Sequence, residues 1–218
     1  MGEIVRGIAE LVEVDDPGWP VVTDAIGAGG TECVVLPPDL ERCRATLLQL
    51  QVTARSLLGA VVLNSGGLVL HHGWLRVYGG SGGELPSLAE VNGFPAQFDP
   101  AWAPQARLVV AHDVLGGVFT LDGSGEVVYF GPDTLEQVGL GGGHSQWLLW
   151  LLDGGAETFY AELFWPSWQE EVAELGLRDG ISMYPPLWSK EGRENIAGTS
   201  RKAVPMRELH SLHLGGEA

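Results

Sequence analysis

The sequence has few cysteines, few lysines and no long apolar run. Its two cysteines, Cys33 and Cys43, are too few for a disulfide framework. Cys43 falls in a helical pattern, where a thiol behaves as a small buried apolar residue. Lys190 and Lys202 are the only lysines, and 12 bases against 28 acids give a formal net charge of −16. Such a surface repels phosphate, which argues against nucleic acid as a partner. The apolar run Trp147–Leu152 is far short of the roughly 20 residues of a membrane helix. The opening MGEIVRGIAELVEVDD carries acids where a secretory signal carries bases and then an apolar core. These absences lead us to expect a cytoplasmic protein without a membrane partner.

What is present suits one globular unit. The 218 residues, 45% of them hydrophobic, can bury a core without staples. The charge is uneven: residues 1–189 hold 7 bases and 24 acids, whereas 190–218 hold 5 and 4. This asymmetry serves solubility or steers a basic protein partner. We read a single domain over 1–218, with a mainly helical part to residue 52, a sheet-rich core over 53–152, and C-terminal helices and loops over 153–218.

Apolar spacing predicts a helix over 3–14, with Ile4, Ile8, Leu11 and Val12 on one face, and a second over about 20–27. ECVVL (32–36) reads as a strand. Asp39 starts a helix to about Gln51, with Leu40, Cys43, Leu47 and Leu50 as its stripe. The run 57–63, then LVLHH and WLRVYG, read as consecutive antiparallel strands. Residues 79–107 form a long loop with a short helix near 87–92. Residues 108–130 form a β meander turning at Asp122–Gly125. FYAELFW (159–165) suits strand or helix, SWQEEVAEL a helix, and 205–212 a last helix. The expected fold is α+β: a mainly antiparallel twisted sheet of five or six strands, with helices packed largely on one face.

Several motifs invite a catalytic reading. GHSQ (143–146) resembles the start of a nucleophile elbow, but VGLGGG before it does not read as a strand, and Trp147 takes the position that requires a small residue. Asp153, Asp179, His210 and His213 would be the candidate triad partners. The simpler reading makes Ser145 a helix cap. The same glycines lack the lysine of a phosphate loop and the acid of a dinucleotide site. His71 and His72 adjoin on a predicted strand and would point to opposite faces, and His210-x-x-His213 has no third ligand near in sequence, so neither a metal nor a cofactor is expected. Asp15-Asp16, Glu170-Glu171 and the pair Asp113 and Asp122 suit a solvated face. Asp113, after an apolar strand, turns the chain or lines a cleft. Among eight tryptophans, Trp165 and Trp168 are candidates for a partner surface, since indoles are enriched at interface hot spots.

DDPGWP (15–20), LGAVVLNSGGLVLHHGWLRVYG (58–79), VAHDVLGGVFTLDG (110–123), EVVYFGPDTLEQ (126–137), FYAELFWPSWQEEV (159–172), SMYPPLWSKEG (182–192) and RKAVPMRELHSLHL (201–214) resemble, in order, an uncharacterised bacterial family, the domain of unknown function numbered 2625. That resemblance implies no activity. More locally, the segment from Val118 to Phe130, Gly131-Pro132-Asp133 and Ser145–Leu151 resembles the core of the SUKH (Smi1/Knr4-like) superfamily, which includes toxin-immunity proteins and implies a protein-binding role. The expectation is therefore a non-catalytic protein-binding module, such as an immunity-type factor for a basic toxin or effector. The alternative is a small-molecule-binding protein or enzyme with a cleft near the 79–107 loop, and His72, Trp74 and Asp113 as its first residues.

Overall fold

Local signals set the N-terminal elements of the computed structural model, which describes residues 5–104 and 107–213. Helices α1 (Ile8–Val12) and α2 (Trp19–Ala28) flank the Asp15–Gly18 turn. α1 begins at Ile8, later than the periodicity suggests, and Ile4 lies outside the described residues. Pro20 sits in the first turn of α2, where a missing N–H costs little. After β1 (Cys33–Leu36), the Asp39 carboxylate caps α3 (Leu40–Leu50) by accepting from the N–H groups of Glu41 and Arg42 at 3.1 and 3.2 Å. Cys43 and Leu47 of the predicted stripe are buried, whereas Leu40 stays exposed.

The run 57–63 is a helix, α4 (Leu57–Asn64), and not the strand expected of this short apolar run. A short apolar run carries no period, so tertiary context decides. Here Ser56 caps the helix, its hydroxyl accepting from Gly59 N–H at 3.0 Å, and all residues from Leu57 to Val62 are buried.

Strands β2 (Gly67–Leu70), β3 (Leu75–Tyr78), β4 (Leu108–Asp113), β5 (Val118–Leu121), β6 (Glu126–Phe130) and β7 (Gln137–Gly143) join β1 in one seven-stranded sheet ordered as in the chain. Every neighbouring pair is antiparallel. The fold is thus α+β, with a larger sheet than the five or six strands expected. VGLGGG belongs to β7, contrary to the sequence reading. Glycine weakens strand propensity, but here it makes room: the Glu126 carboxylate folds over Gly139 and accepts from Gly141 N–H at 2.9 Å.

The short helix α5 (Leu88–Val91) lies in the 79–107 segment as expected. α6 (His144–Trp150) leads into a kinked stretch at 151–155, where Gly154 takes a φ of 95°. α7 (Ala156–Tyr160) and α8 (Trp168–Ala173) follow. The tail contains, besides α9 (Lys190–Glu194) and α10 (Met206–His213), a two-stranded sheet of β8 (Asp179–Tyr184) and β9 (Ser200–Pro205) that the loop signals concealed. β9 is largely exposed and lacks the apolar alternation that marks a strand.

Helices α2, α3, α4 and α6 pack together, and reach the sheet through α4 on β2 and α6 on β6 and β7. The tail docks at the end of β4, where Ile181 N–H donates to the Val114 carbonyl at 2.7 Å; within the tail, Met206 N–H donates to the Arg178 carbonyl at 2.9 Å. A side chain at Gly180 would collide with Val114, Met206 and Leu209, so only glycine allows this approach. This docking closes a pocket over β3 and β4.

Candidate functional site

The pocket grows from strand register. β3 and β4 pair so that Arg76 stands opposite His112, and cross-strand partners share a face. Tyr78, two residues beyond Arg76, joins them by the period of the pleat. The Tyr78 hydroxyl lies 2.5 Å from His112 Nδ1, and both side chains are buried. Beside them Arg76, only 1% exposed, donates to the carbonyls of Gly73 (3.3 Å), Leu177 (3.1 Å) and Asp179 (2.5 Å). Burial lowers its pKa to about 10, so the guanidinium keeps its charge at neutral pH.

Over Tyr78 and His112 the tail leaves a pocket of about 420 Å³. Glu90 and Val91 of α5 form one wall, Arg178 and Asp179 another, and Met206, Arg207 and His210 of α10 a third. A two-pronged ion pair crosses the rim, with Arg178 Nη1 and Nη2 at 2.6 and 3.1 Å from the Glu90 carboxylate. Arg178 also donates to the Gly83 carbonyl. The 79–107 segment is therefore fastened to the start of β8.

Two imidazoles line this space, and each keeps a nitrogen unmatched. Nε2 of His112 and Nε2 of His210 are buried without a hydrogen-bond partner, and their rings stand edge to face at 6.3 Å. Burial, then the charges of Arg76 and His210, holds His112 well below the usual imidazole range. Burial, with a smaller effect from His213, pushes His210 down to about 4. Both are neutral at pH 7. Burial raises the Tyr78 phenol, which keeps its proton. That single proton has His112 Nδ1 as its only partner among the described residues. Were Nδ1 also protonated, the phenol proton would be buried without an acceptor, so the imidazole proton is assigned to Nε2. A buried N–H without an acceptor costs about 1–3 kcal/mol.

A family model described as "Protein of unknown function DUF2625" matches residues 8–209. The chain belongs to this family. It is 34% identical to the uncharacterized protein YbfG of Escherichia coli (strain K12) over 218 residues, covering 95% of each chain. It is 30% identical to an uncharacterized protein of Haemophilus influenzae (strain ATCC 51907 / DSM 11121 / KW20 / Rd) over 178 residues, covering 78% of each. No solved structure matches the chain.

In this DUF2625 chain the residues singled out from sequence lie elsewhere. Trp165 and Trp168 are 2% and 9% exposed and pack on Trp74, which is itself fully buried. They join Phe164 and Tyr160 in an aromatic cluster, so neither indole is presented to a partner. Asp113 is fully buried and turns the chain without lining the pocket: its carboxylate accepts from Leu115 N–H and Gly117 N–H, both at 2.9 Å, and from two tyrosine hydroxyls. His71 and His72 occupy a hairpin turn with φ of 53° and 55°, outside regular strand geometry. His71 stacks on Trp168, while His72 is exposed and pairs with Glu32 at 2.5 Å. His72, Trp74 and Asp113 therefore do not converge on one cleft. Ser145 is an exposed residue inside α6, and the cap position falls on Gly143, which makes no side-chain bond. Strand β7 does precede this helix, so the elbow is set aside on Trp147, 4% exposed, and on the absence of any hydrogen bond from Ser145 among the described residues.

Sequence reasoning named His210 and Asp179 only as partners for Ser145, and missed Tyr78 and His112 as site residues. The available signal was the i, i+2 placement of Arg76 and Tyr78 with a histidine on the neighbouring strand. Among the described residues no group of three or more His, Cys, Asp or Glu is placed to hold a metal ion. No helix among them is long and apolar enough to cross a membrane.

Proposed function

We propose that the chain is a small-molecule-binding protein whose ligand occupies the pocket between the 79–107 segment and α10. The observation that carries this reading is a cavity of about 420 Å³ lined by His112 and His210, two neutral imidazoles that each keep a buried, unpartnered Nε2. That volume falls in the range of small-ligand sites, roughly 300–1,000 Å³. The wall mixes apolar surface from Val91, Leu177 and Met206 with a few polar groups, as such sites do. At neutral pH the two imidazoles are uncharged hydrogen-bonding groups, and the reading is of binding without a catalytic step. A fragment screen followed on the ring resonances of His112 and His210 tests it. The expected result is a set of fragments that shifts both rings together and raises the melting temperature. Fragments that bind while both rings stay unmoved would refute the reading.

A second reading, a protein-binding module of immunity type that meets a basic toxin or effector, is favoured by the net charge of −16 and by a different surface from the tryptophans. Tyr184 and Leu212, 74% and 58% exposed, line one groove between β8 and α10. Replacing both by serine leaves the core untouched. If this reading holds, the double variant loses a basic partner that the parent chain retains at low salt, and equal retention by both counts against it.

A further inference from the structure

A second cavity, of about 420 Å³, lies at the β7 edge of the large sheet and shares no lining residue with the pocket under α10. Its walls follow from spacing. Trp147 and Trp150 stand three residues apart on α6 and so share one side of the helix. The kinked stretch 151–155 brings α7 back toward α6, and Phe159 meets Trp150 edge to face, with ring centroids 5.8 Å apart and planes at 87°. Gly155 lets the backbone lie against the Trp150 indole, since a side chain there would collide with Cδ2, Cε2 and Nε1 of the ring. The indole is thus backed by main chain, yet the residue remains 41% exposed. From β7, Leu140 adds an apolar wall, while Gly141 brings no side chain to fill the space.

None of the residues lining this cavity carries a charge: apart from the Gln146 carboxamide they are aromatic, aliphatic or glycine. An aromatic ring presents a negative face, which attracts a cation. Next to the lining, the Glu126 carboxylate accepts from Gly141 N–H at 2.9 Å and takes no part in the ion pairs formed by the described residues. Arg107 donates to Gln137, at the other end of β7. Aromatic rings, an adjoining acid without an ion-pair partner and no lining base therefore coincide, in a chain of net charge −16. We propose that this cavity binds a small organic cation of the alkylammonium class, its charged head against Trp150 and Phe159 and its apolar groups on Leu140 and Trp147. The volume falls in the range of small-ligand sites, roughly 300–1,000 Å³. A metal ion would need a set of oxygen ligands, whereas an alkylammonium head gains from ring faces and buries apolar surface as well. The site is distinct from the pocket under α10, so its test does not depend on that pocket.

The test compares choline with its neutral isostere dimethylbutanol, in which carbon replaces the nitrogen, on the full chain. Saturation transfer to the probe's methyl protons reads affinity, and the Trp150 indole N–H resonance reads position. Choline is expected to bind about fivefold tighter than the alcohol, the scale of a cation–π contact at a partly exposed ring, and to move the Trp150 resonance. Sodium chloride at the same ionic strength is expected to leave that resonance in place. Trp150→Leu is expected to remove most of the advantage of choline over the alcohol. Glu126→Gln keeps an acceptor for Gly141 N–H and is expected to weaken choline about threefold, the scale of one screened charge, while leaving the alcohol unchanged. An alcohol that binds as tightly as choline would overturn the cation proposal. Choline that binds without moving Trp150, or that binds W150L as it binds the parent, would overturn the site. No saturation transfer to either probe would overturn both. Should W150L fail to fold, the contrast between choline and alcohol and the Trp150 shift in the parent chain still decide.

Discussion

Tyr129 and Asp113 are joined by a 2.7 Å hydrogen bond that ties β6 to the end of β4 inside the protein. Tyr160 adds a second hydroxyl at 3.2 Å, and two backbone N–H groups complete four donors around one carboxylate. The group anchors the turn to Val118 and brings the α7 helix onto the sheet. Burial outweighs these donors and raises the Asp113 pKa, so its ionised form is held at a cost. Tyr129→Phe removes one donor and should cost about 1–2 kcal/mol, whereas Asp113→Ala strands four donors and should cost more than about 3 kcal/mol. Urea unfolding measures both. Y129F should leave ligand titrations in the His112 pocket unchanged, because neither residue lines it.

Buried neutral histidines make stability depend on pH. His144 and His210 are both lowered to about 4, chiefly by burial, and His112, His71 and His213 are lowered as well. Because the folded pKa lies below the unfolded one, the unfolded chain binds more protons once the pH drops under about 6.5. Stability is therefore fully present above about 6.5 and declines toward 4, at up to about 1.4 kcal/mol per pH unit for each such group. Asp113, raised in the fold, works in the opposite direction as it protonates. His144 isolates the effect, since it is buried, unpartnered at both nitrogens and away from the pocket. His144→Leu should flatten the decline by about one proton's slope. An unchanged urea-midpoint profile between pH 7.5 and 4.5 would refute this account.

The sheet's central hairpins and the α3 cap were legible because alternation, turn residues and Asp39 all gave the same answer. The elements that escaped were those whose cause is distant in sequence. α4 is helical with every residue from Leu57 to Val62 buried, so no polar face gives the run a period. β7 is a strand because Glu126 fills the space over its glycines. The same applies to the site: His112 and Tyr78 were visible only as strand residues, Arg178 lay in a stretch with loop signals, and His210 sat in the expected last helix with nothing to say where that helix docks. The tryptophans were legible in kind but not in place. Trp165 was weighed as a partner anchor, yet Arg201 lies over its ring at 4.9 Å and Glu171 accepts from its Nε1 at 2.9 Å, which fixes it inside the fold.

Trp165→Ala should accordingly act on stability. A buried aromatic truncated to alanine costs about 3–5 kcal/mol, and here the Glu171–Arg201 pair also loses its packing surface. Thermal unfolding by circular dichroism should show a large drop in melting temperature. If the variant melts like the parent, the indole is not the core element described.

Two serines next to helix starts should behave oppositely. Ser56 accepts from Gly59 N–H and caps α4, so Ser56→Ala should cost about 1 kcal/mol. Ser145 bonds nothing among the described residues and faces solvent, so Ser145→Ala should fall within about 0.5 kcal/mol of the parent. Equal losses in urea unfolding would show that Ser145 caps α6 after all.

The Glu90–Arg178 pair should govern access more than stability. Each side chain is about half exposed, at 52% and 49%, so solvent screens the pair and Glu90→Gln should cost under about 1 kcal/mol. The same pair is what fastens α5 to the start of β8 across the pocket mouth. Releasing it should raise amide exchange over 88–91 without changing exchange in β4, since the helix has few other polar ties to the tail. Ligand association should quicken in E90Q, and dissociation should quicken more, which weakens binding overall. The double variant should look like the single Arg178→Gln one, which also loses the bond to the Gly83 carbonyl, because adding Glu90→Gln removes a partner already lost. Additive losses, or faster exchange spreading into β4, would mean that the pair supports the sheet itself and not the rim of the pocket.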